Sequence, residues 1–198
     1  IFNIKKDKIH FEYDIPAAFY GISLSKVIVY KGKTWVSSNR GIFELVGKKM
    51  FHSHFDIVIH NLEILDDKLI ASTKKGLYFL KDSKWMPMSN FPGIPFNSIK
   101  KIDNLYYAMS ENGLYVSSSF NGKAQLKWIK EMDCYELIRD NKNNLWLSTS
   151  NGIFRFKHKI NNFEYLFKKI EFNKRSAFYN PPYLYFGSTN GLYKIKTD

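Results

Sequence analysis

The segment NNLWLSTSNGIFRF (143–156) decides how this chain folds. Residues 145–149 and 153–156 are short runs of aromatic and β-branched types, which suit a pleated, half-buried surface. Between them, Asn151-Gly152 reads as a tight hairpin turn, because both residues tolerate positive φ. Upstream, DNKNN (140–144) is a turn that joins the preceding strand YELIR (135–139). Downstream, KHKINNFEYLF (157–167) supplies another turn and an outer strand. The unit is therefore four antiparallel strands in chain order. Apolar spacing of three and four is nowhere sustained, so almost no helix is expected.

The same pattern recurs along the whole chain, in KTWVSSNRGIFELV (33–46), DKLIASTKKGLYFL (67–80), NLYYAMSENGLYVS (104–117) and PYLYFGSTNGLYKI (182–195). The anchoring glycines Gly41, Gly76, Gly113, Gly152 and Gly191 lie 35, 37, 39 and 39 residues apart. IFNIKKDKIHFEYD, at the start, aligns with IFRFKHKINNFEYL after Gly152 and reads as a partial sixth copy. Four-stranded units at this period cannot bury both faces alone, so they stack. Small residues in the second strand (Ser37, Ala71, Ser148, Gly187) suit blades converging on an axis, and Trp35, Trp146 and Tyr185 fill the space between sheets. The fold class is all-β, a β-propeller of four-stranded antiparallel blades. The expected division is a partial blade over 1–16, blades over 17–56, 57–92, 93–132 and 133–172, and a partial last blade over 173–198. Counting strands, a five-bladed ring would hold two competing third strands in its shared blade. The expectation is therefore a larger ring, such as a seven-bladed one; the alternative is a five-bladed ring with one third strand displaced.

Composition narrows the function. With 198 residues, 44% apolar and 17% aromatic, the chain has ample material for a core. No apolar run approaches the roughly 18 residues of a membrane helix, and the opening residues lack a signal-peptide h-region. Cys134 is the only cysteine, which excludes an internal disulfide, a four-thiolate zinc site and a CxxC pair. The net charge of +12 comes from 30 basic residues of which only four are arginine, with the lysines single or in pairs. That distribution reads as a solvating surface, with part of the field available to an anionic partner, and not as a nucleic-acid interface.

NNLWLSTSNGIFRF resembles the repeat of two-component regulator propellers, whose consensus runs roughly D-x-x-G-N-L-W-I-G-T-x-x-G-L-x-R-F. Asn144, Leu145, Trp146, Leu147, Thr149, Gly152, Ile153, Arg155 and Phe156 match it identically or conservatively, and Ser148 replaces the motif's glycine. YLYFGSTNGLYKI is similar to the terminal repeat of such arrays. The resemblance implies the seven-bladed extracytoplasmic (periplasmic) sensor of a Bacteroidetes-type hybrid histidine kinase linked to glycan use. It also implies a homodimer in the intact sensor and membrane attachment through segments outside this chain. The marks of tryptophan–aspartate, kelch and sialidase propellers are missing.

Candidate ligand-binding residues lie in the turns between second and third strands: Asn39, Arg40, Lys74, Lys75, Glu111, Asn112, Asn151 and Asn190. Repeating in register, they ring one face, where amides and cations suit sugar hydroxyls or carboxylates; the competing reading is turn formers with solubilising charge. Phe91, Phe96 and Tyr135 read as inter-blade staples or as stacking platforms. His52, His54 and His60 share an outer-strand region but have no acidic or thiol partner, so no metal is expected. DNKNN lacks the later glycine and bidentate glutamate of a calcium loop and reads as a turn. No nucleophile elbow, phosphate loop or catalytic carboxylate pair is present, so neither enzyme activity nor a cofactor is expected. The leading reading is a sensor of oligosaccharides, acidic ones included. The alternatives are a structural or dimerisation propeller without its own ligand, and a secreted enzyme acting on polysaccharide.

Overall fold

The computed structural model of the chain describes residues 2–5, 8–11, 21–47, 49–53, 55–120, 125–130, 132–157, 160–168 and 172–197. The first pair of strands is β1 (Phe2–Lys5) and β2 (Lys8–Phe11). Four four-stranded sheets follow. They comprise β3 (Leu24–Tyr30), β4 (Lys33–Ser38), β5 (Gly41–Val46) and β6 (Lys49–His52); then β7 (Ile59–Leu65), β8 (Lys68–Thr73), β9 (Gly76–Lys81) and β10 (Lys84–Pro87). The third sheet is β11 (Phe96–Ile102), β12 (Leu105–Ser110), β13 (Gly113–Ser117) and β14 (Gln125–Lys130), and the fourth is β15 (Cys134–Arg139), β16 (Asn144–Thr149), β17 (Gly152–Lys157) and β18 (Ile160–Lys168). The last has three strands, β19 (Phe172–Asn180), β20 (Tyr183–Ser188) and β21 (Gly191–Lys196). Each sheet is an antiparallel meander in chain order, and no helix occurs among the described residues.

The turn between second and third strands differs from the expected one. Thr149 pairs with Gly152, so Ser150 and Asn151 form the turn and the glycine opens the third strand. The five repeat glycines have φ between 113° and 147°, where other residues are strained. At Gly41 a Cβ would also lie 2.3 Å from the Phe55 carbonyl oxygen. The recurrent Ser or Thr closes each turn: Ser38, Thr73, Ser110, Thr149 and Ser188 each donate to the carbonyl of the following glycine at 2.8–3.2 Å. The same hydroxyls accept from the backbone N–H two residues on.

Among the described residues, four hydrophobic clusters lie between neighbouring sheets. Trp35 and Ile42 pack on Leu62, Leu69 and Ala71; Ile70 and Leu77 on Ile99, Tyr106 and Ala108; Tyr107, Met109 and Leu114 on Leu137, Leu145 and Leu147; Trp146 and Ile153 on Leu184 and Phe186. Each such side chain withdrawn from water contributes about 1.5–3 kcal/mol, so the stacking of blades holds the fold together. Small second-strand residues let the sheets approach: Ser37, Ala71 and Ser148 are buried. Among the described residues, the last sheet has no such cover on its forward face. Leu192 is 69% exposed, whereas Ile42, Leu77, Leu114 and Ile153, at the same register, are at most 2% exposed.

A β-bulge interrupts the first ladder of each four-stranded sheet near the start of its first strand, at Leu24/Lys26, Ile59/Asn61, Phe96/Ser98 and Cys134/Glu136, and the register of the last sheet shifts more widely between Phe172 and Ala177. The extra residue reaches into the next sheet. Ser25 Oγ donates to the Ile59 carbonyl (3.1 Å), His60 Nδ1 to that of Phe96 (2.9 Å) and Asn97 Nδ2 to that of Cys134 (2.8 Å). A second row of links joins neighbours at the opposite end of the first strands. Lys101 pairs with Asp66, Arg139 with Asp103 at 2.7 Å, and Tyr179 Oη accepts from the Asn141 N–H at 3.1 Å.

DNKNN folds around one carboxylate. Asp140 accepts from the backbone N–H groups of Lys142 and Asn144, the Asn144 amide and the Trp146 indole, all at 2.8–2.9 Å. Burial alone would raise its pKa, but these donors outweigh burial and hold it below the usual carboxylate value. Its contribution is therefore full at neutral pH and is lost as pH falls through that depressed value. Asp140→Ala orphans a buried indole and is expected to cost about 3 kcal/mol in urea denaturation, against roughly 0.5 kcal/mol or less for Lys142→Ala.

Candidate functional site

The bulges aim one polar side chain per sheet at the place where the first strands meet. Lys26, Asn61, Ser98 and Glu136 occupy the same register, each immediately after its bulge. Two residues further along the same face stand Glu63 on β7 and Lys100 on β11. Lys100 Nζ donates to Glu63 Oε1 at 2.7 Å and approaches Glu136 Oε1 at 3.2 Å, so one ammonium ties three blades together. Asn61 Nδ2 donates to the same Glu63 oxygen at 3.3 Å.

All of these but Ser98 line a cleft of about 190 Å³, together with Ser25 and Ala177, so that the four four-stranded sheets and the three-stranded one contribute. An adjoining cleft of about 310 Å³ shares Lys100, Glu136 and Ala177, and opens past Ile102, Ile138, Phe178 and Tyr179 toward the first-hairpin end. Burial pushes the Glu136 carboxyl up more than Lys100 can bring it down, with Glu63 adding repulsion and Lys26 attraction. Burial would lower the Lys100 ammonium, but Glu136 and Glu63 outweigh it, so Lys100 stays charged above its ordinary range.

The sequence-derived candidates lie elsewhere. Asn39, Arg40, Lys74, Lys75, Asn112, Asn151 and Asn190 are exposed on the turns beside the entry of each first strand, and Glu111 is half-buried there. Asn39 Oδ1 accepts from the Ser23 N–H at 3.0 Å, the backbone N–H groups of Arg40, Lys75, Asn112, Asn151 and Asn190 donate to the turn hydroxyls described above, and the Lys74 N–H donates to the Val58 carbonyl at 3.2 Å. None of these eight lines either axial cleft. Phe91, Phe96 and Tyr135 are buried between sheets, with Phe91 edge-on to Phe96 at 5.9 Å, and offer no stacking platform. His52 meets the Arg40 carbonyl and Asp56, His60 serves the bulge link, and His54 lies outside the described residues. Among the described residues, no group of three or more histidine, cysteine or acidic side chains is placed to hold a metal.

The axial set escaped sequence reasoning because its members share a register but no chemical type. Lys100→Met leaves Glu136 beside Glu63 with only Lys26 to offset their repulsion, which raises the folded-state pKa of Glu136 further. Ionisation then opposes folding, so the loss of stability is expected to grow with pH. It should reach about 3 kcal/mol at pH 8 and be smaller at pH 5, as read by urea denaturation at the two pH values.

The chain matches no protein-family model and no curated protein. Among solved structures it is similar to two extracellular domains from B. thetaiotaomicron assigned to hybrid two-component systems. One is BT3049, with a TM-score of 0.79 and 18% identity over 96% of this chain and 30% of that one. The other is BT4673, with a TM-score of 0.77 and 18% identity over 88% of this chain and 26% of that one. It is also similar to virginiamycin B lyase from Staphylococcus aureus, with a TM-score of 0.68 and 14% identity over 98% of this chain and 71% of that one. The chain thus spans less than a third of the length of the two extracellular domains. At these identities the likeness establishes the fold, and the fold is that of a β-propeller built from four-stranded blades.

Proposed function

We propose that the chain is a segment of the extracytoplasmic ligand-sensing propeller of a membrane-anchored two-component histidine kinase, periplasmic in location and responsive to oligosaccharides. The observation that carries this reading is a polar cleft built jointly by five blades, in a fold shared with extracellular domains of hybrid two-component systems. A cleft supplied by separate blades registers any ligand-induced shift of one blade against another, which is the differential binding a two-state sensor needs. The chain binds rather than catalyses: Glu63 and Glu136 share Lys100, an arrangement suited to holding a ligand and not to moving a proton. In membranes carrying the intact kinase, the oligosaccharide that binds is expected to change phosphotransfer several-fold. Phosphotransfer indifferent to every oligosaccharide bound by the protein would sink the sensing role.

In this reading a further blade of the same ring covers the forward face of the last sheet. The exposure of Phe178 (64%) and Leu192 there also favours a second reading, a dimerisation scaffold in which a second copy covers that face. Leu192→Cys separates the two. Cys134 is buried and its thiol is pushed up by that burial, so it stays silent toward maleimide. Protection of Cys at position 192 that survives dilution supports the continued ring. Protection lost on dilution supports the scaffold, and rapid labelling at all concentrations contradicts both.

A further inference from the structure

We infer that the axial cleft is the ligand site and that it takes an uncharged sugar unit. This rests on the oligosaccharide-sensing reading and names its site and substrate class. The charged groups around the smaller cleft are two carboxylates, Glu63 and Glu136, and two ammoniums, Lys26 and Lys100, so its charge is balanced. Lys100 is committed to both carboxylates, and among the described residues Lys26 has no ion-pair partner. Further cations line the adjoining cleft, but Lys101 is engaged by Asp66 and Arg139 by Asp103. An acidic sugar would bring its carboxylate against Glu63 and Glu136 with Lys26, which already offsets Glu136, to receive it, and would lose its hydration on entry.

Hydroxyl groups face no such conflict. Neighbouring hydroxyls can donate to the carboxylate oxygens and accept from Lys26 without changing the charge of the cleft, and hydrogen bonds to charged partners are the stronger kind. Ala177, Ile102 and Ile138 supply apolar wall for the C–H face of a ring. The volumes, about 190 and 310 Å³, sit at the small end of ligand clefts and suit one or two rings rather than a polymer. The positive charge of the chain as a whole is therefore not the source of selectivity at this site.

Calorimetry on the intact protein tests this, with maltotriose, mannotriose, arabinotriose, galactotriose and trigalacturonate as probes. A neutral trisaccharide is expected to bind, and trigalacturonate is not. Lys26→Ala, a change at an exposed side chain, should weaken binding roughly tenfold, and Ala177→Leu, which fills the wall, should abolish it. Lys84→Ala, at an exposed position on the outer strand of its sheet, should change nothing. Preference for trigalacturonate, absence of binding by every neutral probe, or binding insensitive to Lys26→Ala overturns the inference. So does loss of binding in Arg40→Ala/Lys74→Ala with Lys26→Ala unaffected, since that result moves the site to the turn face. Phosphotransfer that still responds to a sugar when Lys26→Ala is silent in calorimetry leaves the sensor standing and removes only the axial site.

Discussion

The bulge near the start of each first strand is the constraint on which the rest of the molecule depends. It interrupts the ladder within its own sheet, and the preceding blade takes up the carbonyl at that point, through Ser25, His60 or Asn97. A buried carbonyl without a donor is costly, so the position of each blade is set by its neighbour's side chain as well as by apolar packing. The bulge also turns the next residue toward the axis, which is why Lys26, Asn61 and Glu136 come to line one cleft. Packing of blades, satisfaction of the backbone and construction of the site therefore share one irregularity.

Two kinds of inter-blade link act at opposite ends of the first strands. At the bulge end the links are neutral hydrogen bonds to buried backbone. At the hairpin end they are solvent-facing pairs such as Arg139 with Asp103, which add little to stability in water. Lys100 lies between these rows, more enclosed than the second and charged unlike the first. Its place at the centre of three blades makes it the point where electrostatics and blade geometry are most tightly joined.

Most of the fold could be read from residue order alone. The spacing of Ser or Thr to Gly recurs because each hydroxyl closes a turn and each glycine takes a positive φ, and a local requirement repeats in type as well as position. The same regularity drew attention to Asn39, Arg40, Lys74 and Lys75, which share these turns and lie apart from the axial clefts. The turn itself was misplaced by one residue, since a glycine at a strand start and a glycine inside a turn look alike in a linear pattern. The axial residues left no comparable trace: Lys26, Asn61, Ser98 and Glu136 differ in size, charge and polarity. Lys100 is separated in the chain from both of its carboxylates by more than thirty residues and sits beside Lys101, where it resembles any surface pair.

The links at the bulges bear on how such a chain can lengthen. The acceptor is a main-chain carbonyl, present whatever residue occupies the position, and the donors are as unlike as a serine, a histidine and an asparagine. The second and third four-stranded sheets each carry an acceptor at one seam and a donor at the other. Duplicating the coding segment of one blade would thus yield a unit that fits between existing neighbours without a compensating change in either. Ancestral growth of the array by tandem duplication, followed by free drift of donor identity, follows from that hydrogen-bond geometry.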